Sequence, residues 1–363
     1  MKIVLRSWLL KRRFSLMHSH ENHAVSEILG LVLVLMIVTG VISTILFWGV
    51  PYMQDKKAFV ALENALLQFD AMGNLIDDAF SEGVFDVDNG EVVNSSKTMT
   101  FQLGDGDVQI DTRGERFVFW YSLADKYDFN VSDFDPDGDE NSFSIDFTDG
   151  SASNVDVYYL YDNSLPPDLD KAIGDPTETE YSLHDAVQID VKDGSDIVGR
   201  IWLFDVGSLI YESVGSSGVY KAIVENGGVL STVNSISGNF FNEPKYWPQA
   251  RLDNSSMLTL RMIQIKNNPN DGVDAISGTG SSKADFCIRP CSSMTMESKT
   301  QLFSNFKMKI YGDKGAVSAW NLFYKNNVGF QVDEINETLS WVKPPGNAMF
   351  SLNHAVCYID MEV

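Results

Sequence analysis

The stretch HAVSEILGLVLVLMIVTGVISTILFWGVPYM, His23–Met53, has no charged side chain after Glu27, and the next one along the chain is Asp55. From Ile28 to Val50 it offers 23 uncharged residues, which as a helix rise about 35 Å and cross a hydrocarbon layer of about 30 Å with a slight tilt. A secretory signal has a shorter apolar core of about 7–15 residues and a small-residue cleavage site behind it. Neither fits here, so the segment is predicted to span a membrane and to stay on the chain. Before it lie Lys2, Arg6, Lys11, Arg12 and Arg13 against Glu21 alone. That head carries +4, so with a total of −23 everything after Ala24 carries −27. Basic flanks remain cytoplasmic, which directs the acidic body out of the cell. An acidic body also excludes nucleic acid as a partner, since phosphate binding requires basic surface.

Beyond Pro51, where a helix is expected to bend, Phe59, Leu62, Leu66, Phe69, Met72 and Ile76 recur at steps of three and four with charges between them. This is an amphipathic helix to about Phe80. With the span it makes a rod of about 50 residues, 75–80 Å long, whose outer half needs an apolar surface to lie on. From Gly83 the period changes to two: Phe101/Leu103, Val155/Val157/Tyr159, Val187/Ile189/Val191, Leu258/Leu260/Met262 and Phe306/Met308/Ile310. Turn signals separate these runs at Asp105-Gly106, Asn226-Gly227-Gly228 and Asp313-Lys314-Gly315. The predicted class is therefore α+β: a long N-terminal transmembrane and amphipathic helix, then a mostly antiparallel, sandwich-like β ectodomain over residues 83–363. One short helix is expected at Val317–Tyr324. Residues 235–256, with Pro244 and Pro248, read either as a long loop or as a divide between two β subdomains.

The residues Ala24-Val25-Ser26-Glu27-Ile28-Leu29-Gly30, followed by the apolar run, resemble the N-terminal segment of archaeal type IV pilins. That resemblance implies a leader of residues 1–24, cut between Ala24 and Val25 by a membrane-embedded prepilin peptidase on the cytoplasmic side. The helix of residues 25–82 is then left in place, with its span at 28–50. Glu27 stands where many of those pilins have Pro. A Ser-Glu-Ile-Leu-Gly start looks like that of a group of archaeal pilin-like surface proteins with longer β-rich ectodomains. Val219–Leu230 (VYKAIVENGGVL) and Ser318–Asn326 (SAWNLFYKN) are similar to that group as well. The resemblance implies a filament subunit or minor pilin whose partners are the membrane, the peptidase and other pilin-like subunits. The alternative is a membrane-anchored adhesion or binding protein that never polymerises.

A carboxylate entering apolar surroundings needs a cation or a proton. By the resemblance, Glu27 meets the new N-terminal amine of a neighbouring subunit; held at headgroup level it stays hydrated and needs neither. Gly40 and Thr44, like Thr39 and Ser43, place small residues one turn apart, a spacing that lets helices approach closely. Asp133, Asp135, Asp137 and Asp139 with Gly138 match the start of a calcium loop, where alternate oxygens converge on a hard cation. Ser144 replaces the closing Glu, and a solvated acidic loop is the competing reading.

Asn94, Asn130, Asn254 and Asn336 begin Asn-x-Ser/Thr sequons that would face outward. Of Cys287, Cys291 and Cys357, an odd number, Cys287 can bridge to Cys291 or either of them to Cys357, leaving one thiol free or paired with another chain. The His18–His23 tract (HSHENH) lacks the spacing of a zinc protease and belongs to the leader. No Gly-x-Ser-x-Gly elbow, phosphate loop or dinucleotide fingerprint occurs, and His184 and His354 lack an evident nucleophile partner. No enzyme is expected, and no cofactor is required.

Overall fold

A computed structural model describes residues 27–82, 84–85, 92–93, 96–132, 141–160, 170–174, 179–181, 186–244, 249–250, 256–267, 273–278, 282–295, 301–333, 337–341 and 348–362. The chain divides into two units, Met1–Lys56 and Lys57–Val363. The first is helical from residue 27 onward and belongs to the helix α1, residues 27–82, which widens into a single π-turn at Ile45–Gly49. There the Val50 N–H reaches back five residues to the Ile45 carbonyl. Pro51 has no N–H to donate and crowds the turn before it, so a widened turn at this place accommodates the ring without ending the helix.

In the second unit the helix buries Ala58, Leu62, Ala65, Phe69, Met72 and Ile76. The steps of four and three make an inward seam, and Leu66, buried beside it as expected, widens the seam at its middle. Phe59, expected on that seam, is 45% exposed. Counting back from Ile76 by alternate fours and threes lands on residue 58, so Ala58, 3% exposed, takes the inward place.

The described strands form three larger sheets. An eight-stranded sheet has the order 330–333, 338–341, 304–311, 116–122, 196–205, 186–193, 154–160, 170–174. A meander sheet has the order 237–242, 228–233, 219–225, 208–214, 107–111, 275–277, and a mixed sheet the order 249–250, 256–267, 348–362, 283–295, 97–102. A smaller sheet of 179–181, 141–149 and 128–132 covers part of the eight-stranded one. Among the described strands every pairing is antiparallel except that of Ser256–Asn267 with Ala348–Glu362. The α+β class is as read from the sequence.

Three apolar cores result. In one, the α1 seam meets Val108, Leu209 and Val224 of the meander sheet and Ile263, Phe286 and Ile359 of the mixed sheet. The second gathers Phe119, Phe204, Phe306 and Phe350 under a short helix, α2, Lys314–Phe323. The third lies between the eight-stranded sheet and the smaller one. Strand Arg116–Ser122 is buried at all seven positions because it has a core on each face. The half-solvated alternation expected of the body fails there for that reason.

Asp105-Gly106 lies between two strands as expected, carrying the chain from the mixed sheet at 97–102 to the meander sheet at 107–111. One turn reading changes. Asp313 is the N-cap of α2, its carboxylate accepting from the N–H groups of Gly315 (2.8 Å) and Ala316 (3.3 Å), so the helix begins three residues earlier than expected. The segment 235–256 falls inside the unit Lys57–Val363 and leads from the meander sheet into the mixed sheet.

Candidate functional site

The residues that carry the functional reading lie on α1, and its two ends are built differently. Glu27–Asp78 forms 52 continuous helical residues, and its most apolar window has a mean hydropathy of 2.7 with no residue buried. Ile28, Leu31, Leu35, Met36, Phe47 and Trp48 are all exposed. Such a surface is stable only against lipid or other apolar helices. Thr39 turns its hydroxyl back to the Leu35 carbonyl (2.7 Å) and Thr44 to the Gly40 carbonyl (2.8 Å). Each hydroxyl is satisfied within its own helix, as an apolar solvent demands. A Cβ at Gly40 would meet nothing within 4 Å, so Gly40 and Thr44 form a shallow notch with no hydroxyl left pointing out. Glu27, at the first described position, is exposed.

The other end of α1 is fastened to the β unit by polar contacts as well as its seam. Gln68 accepts from the Gln102 N–H (2.7 Å) and donates to the Gln102 carbonyl (3.4 Å), which occupies the outer edge of strand 97–102 as a neighbouring strand would. Asp70 accepts from the Asn242 amide, and Asp77 pairs with Arg261 at 3.3 Å. These hold the helix to three different strands.

Several expected site residues fall elsewhere. Ala24 and Val25, Asp133, Asp135, Asp137 and Asp139, and Asn94, Asn254 and Asn336 lie outside the described residues. Asn130 is exposed on strand Asp128–Ser132, and its side-chain oxygen accepts from Lys307 Nζ (2.8 Å). Cys287 and Cys291 lie in one strand, Lys283–Thr295. Four residues of strand separate Cα atoms by about 13 Å, whereas a disulfide spans 4.4–6.8 Å; Cys287 is a free thiol, and the Cys291 side chain is outside the described residues. Among the described residues no group of three or more His, Cys, Asp or Glu side chains is placed to hold a metal ion.

A polar cleft of about 580 Å³ opens between strands 128–132 and 338–341, lined by Asn130, Ser132, Asp146, Lys307, Lys309 and Glu337. Lys307 is held by three acceptors: Asp128, the Phe129 carbonyl and Asn130. His354 is buried with Nε2 2.6 Å from Gln264 Oε1, while Gln264 donates to the Asp205 carbonyl (2.7 Å). That chain of contacts ties two sheets together.

Sequence reasoning missed the buried acids. Glu225 is fully buried and accepts the indole N–H of Trp320, which joins the stretches 219–230 and 318–326. Glu115, beside Asp313 and Asp111, has its carboxyl pushed up to about 8, first by burial and then by those two charges. Strand periodicity carries no signal for such residues, because it tells which face a residue occupies but not which partner it meets there. Comparison of the chain with protein families, with characterised proteins and with solved structures finds no match.

Proposed function

We propose that the chain is an archaeal type IV pilin-like surface protein, a filament subunit or minor pilin with no catalytic activity. The peptidase removes residues 1–24, and the protein is then held by α1 with its acidic β unit outside the cell. The observation that carries this reading is the division of labour along one helix. Its first half exposes an unbroken apolar surface, and its second half is the spine of the β unit through the seam from Ala58 to Ile76. A simple anchor has no need of a helix continued into the core of the domain it tethers. After cleavage Glu27 is the third residue, next to a new amine that a neighbouring subunit's carboxylate can pair with. N-terminal sequencing of the membrane-bound protein is expected to begin at Val25. A terminus at Met1 removes the processing step and the pilin reading with it.

The size of the β unit, Lys57–Val363, favours a second reading, an anchored adhesion protein that never polymerises. Electron microscopy of material sheared from cells separates the two: filaments containing the chain support the first, and their absence with the protein retained in membranes supports the second.

A further inference from the structure

Two loops of the meander sheet meet at one end of the unit Lys57–Val363, and we infer that they form an apolar finger that seats on a lipid surface. This rests on the membrane insertion proposed above. The first loop, Gly215–Gly218, joins strands 208–214 and 219–225; the second, Asn234–Ile236, joins 228–233 and 237–242. Asn234 fastens them together. Its side-chain oxygen accepts from the Val219 N–H (2.8 Å), its amide donates to the Ser217 carbonyl (3.4 Å), and its own N–H donates to the Val219 carbonyl (2.8 Å). Gly218 packs so closely on Asn234 that a Cβ there would overlap it.

The finger presents Ile236 (76% exposed) and Val214 (71%), the two most exposed large apolar side chains described in this unit, with Val233 beside them. Between Ser213 and Tyr220, and again from Asn226 to Asn242, there is no charged residue, in a chain of net charge −23. Exposed β-branched side chains on an uncharged tip suit the boundary between headgroups and acyl chains. Elsewhere the unit's acidic surface is kept from an anionic bilayer by repulsion; this tip is not.

Its position agrees. Val229 lies against Gly73 of α1, 3.8 Å from where a Cβ would stand. The row Tyr211–Ala222–Ser231, two residues further along, is reached from Phe69 through Phe101, with ring centroids 5.1 and 5.9 Å apart. Four helix residues rise about 6 Å and two strand residues about 6.6 Å. Strands and helix therefore keep step, and the next rows, Tyr220–Val233 and Val214–Val219, lie toward Lys57. That is the end where the chain enters this unit from its apolar segment.

The test places a spin label on the full-length protein in dioleoylphosphatidylcholine vesicles, one position at a time, using Val214→Cys, Ile236→Cys, Leu322→Cys and Phe47→Cys. The labelled wild-type protein gives the background from its own thiols. Labels at 214 and 236 are expected to collide preferentially with oxygen over a water-soluble nickel complex, as the label at 47 does, whereas 322 shows the reverse. If 214 and 236 behave like 322 while 47 is lipid-buried, the finger is wrong and insertion stands. Should 47 itself be open to nickel, the membrane reading falls and takes the finger with it. Spin broadening at 214 and 236 that grows with protein density, without oxygen preference, would mean a second copy covers the tip and would overturn the lipid assignment.

Discussion

The indole N–H of Trp320 is donated to the carboxylate of Glu225, and both side chains are withdrawn from water. Strand Val219–Glu225 and helix Lys314–Phe323 are thereby joined by a bond neither can replace from solvent, since the second carboxylate oxygen has no hydrogen-bond partner among the described residues. Removing the donor strands a buried acid. Trp320→Phe is expected to lower stability by about 1–3 kcal/mol from that loss alone, seen as a shift in the urea unfolding midpoint. Adding Glu225→Leu should recover part of it; equal midpoints for the single and double variants would show that the bond carries no such weight.

Residues only one or two positions apart on α1 can lie on and off its seam, so neighbours should differ sharply. Phe69, fully buried against Phe101, is expected to cost about 3–5 kcal/mol as Phe69→Ala. Leu67, 61% exposed, should change stability by no more than about 0.5 kcal/mol as Leu67→Ala. Comparable losses for both would mean that the helix is covered on two sides.

Glu115 gives the unit a pH dependence with a definite sign. Its folded pKa of about 8 lies above the ordinary 4.5 because burial and the charges of Asp313 and Asp111 oppose ionisation. Folding therefore retains a proton, and the stabilisation is complete below about 4.5 and is lost as the pH rises toward about 8. Thermal unfolding across that window should show stability falling with pH, with a smaller fall in Glu115→Gln. An unchanged slope in the variant would assign the dependence to other groups.

The turn Asn226-Gly227 closes strands 219–225 and 228–233 with Glu225 opposite Gly228. Both turn residues have positive φ, 45° and 77°, as a two-residue turn of this hand requires. Asn226 also caps the buried Ile263 N–H at 2.9 Å. Asn226→Ala should cost about 1–3 kcal/mol for that unpaired group, and Asn226→Gly distinctly less backbone strain. Identical losses in the two would leave the cap as the whole effect.

On the exposed half of α1, Gly40 is the test of assembly. Gly40→Leu fills the notch and should abolish sheared filaments while the protein remains in the membrane fraction. Thr44→Val should leave filaments intact, because the Thr44 hydroxyl is already bonded to the Gly40 carbonyl. Filaments that survive Gly40→Leu would place the packing face elsewhere on the helix.

The sequence was most legible where local periodicity and solvent coincide. The apolar run read directly from its composition, the seam from Leu62 to Ile76 because it has one face to bury, and Val187, Ile189 and Val191 because all three enter the same core. The Asn226-Gly227 turn read directly because backbone geometry decides it. Strand Arg116–Ser122 was harder, since burial on both faces erases alternation. The partnership of Glu225 with Trp320 was illegible: the two are 95 positions apart, and nothing local to either signals the other. The exposed half of α1 was legible in composition alone, since none of its most apolar window is buried in the chain.

The parallel pairing of Ser256–Asn267 with Ala348–Glu362 bears on the order of folding. Strand 348–362 lies between 256–267 and 283–295, and its Ala355, Cys357, Ile359 and Met361 close the core over the α1 seam. During synthesis the end of that seam at Ile76 is made about 280 residues before this part of its cover, an interval on the order of tens of seconds at ribosomal rates of about 5–20 residues per second. Until then the seam has only the part of its cover made earlier, such as Val108, Leu209 and Val224 of the meander sheet. Contacts of such long sequence separation form slowly, so the pairing of 256–267 with 348–362 is expected to be the late step that completes this core.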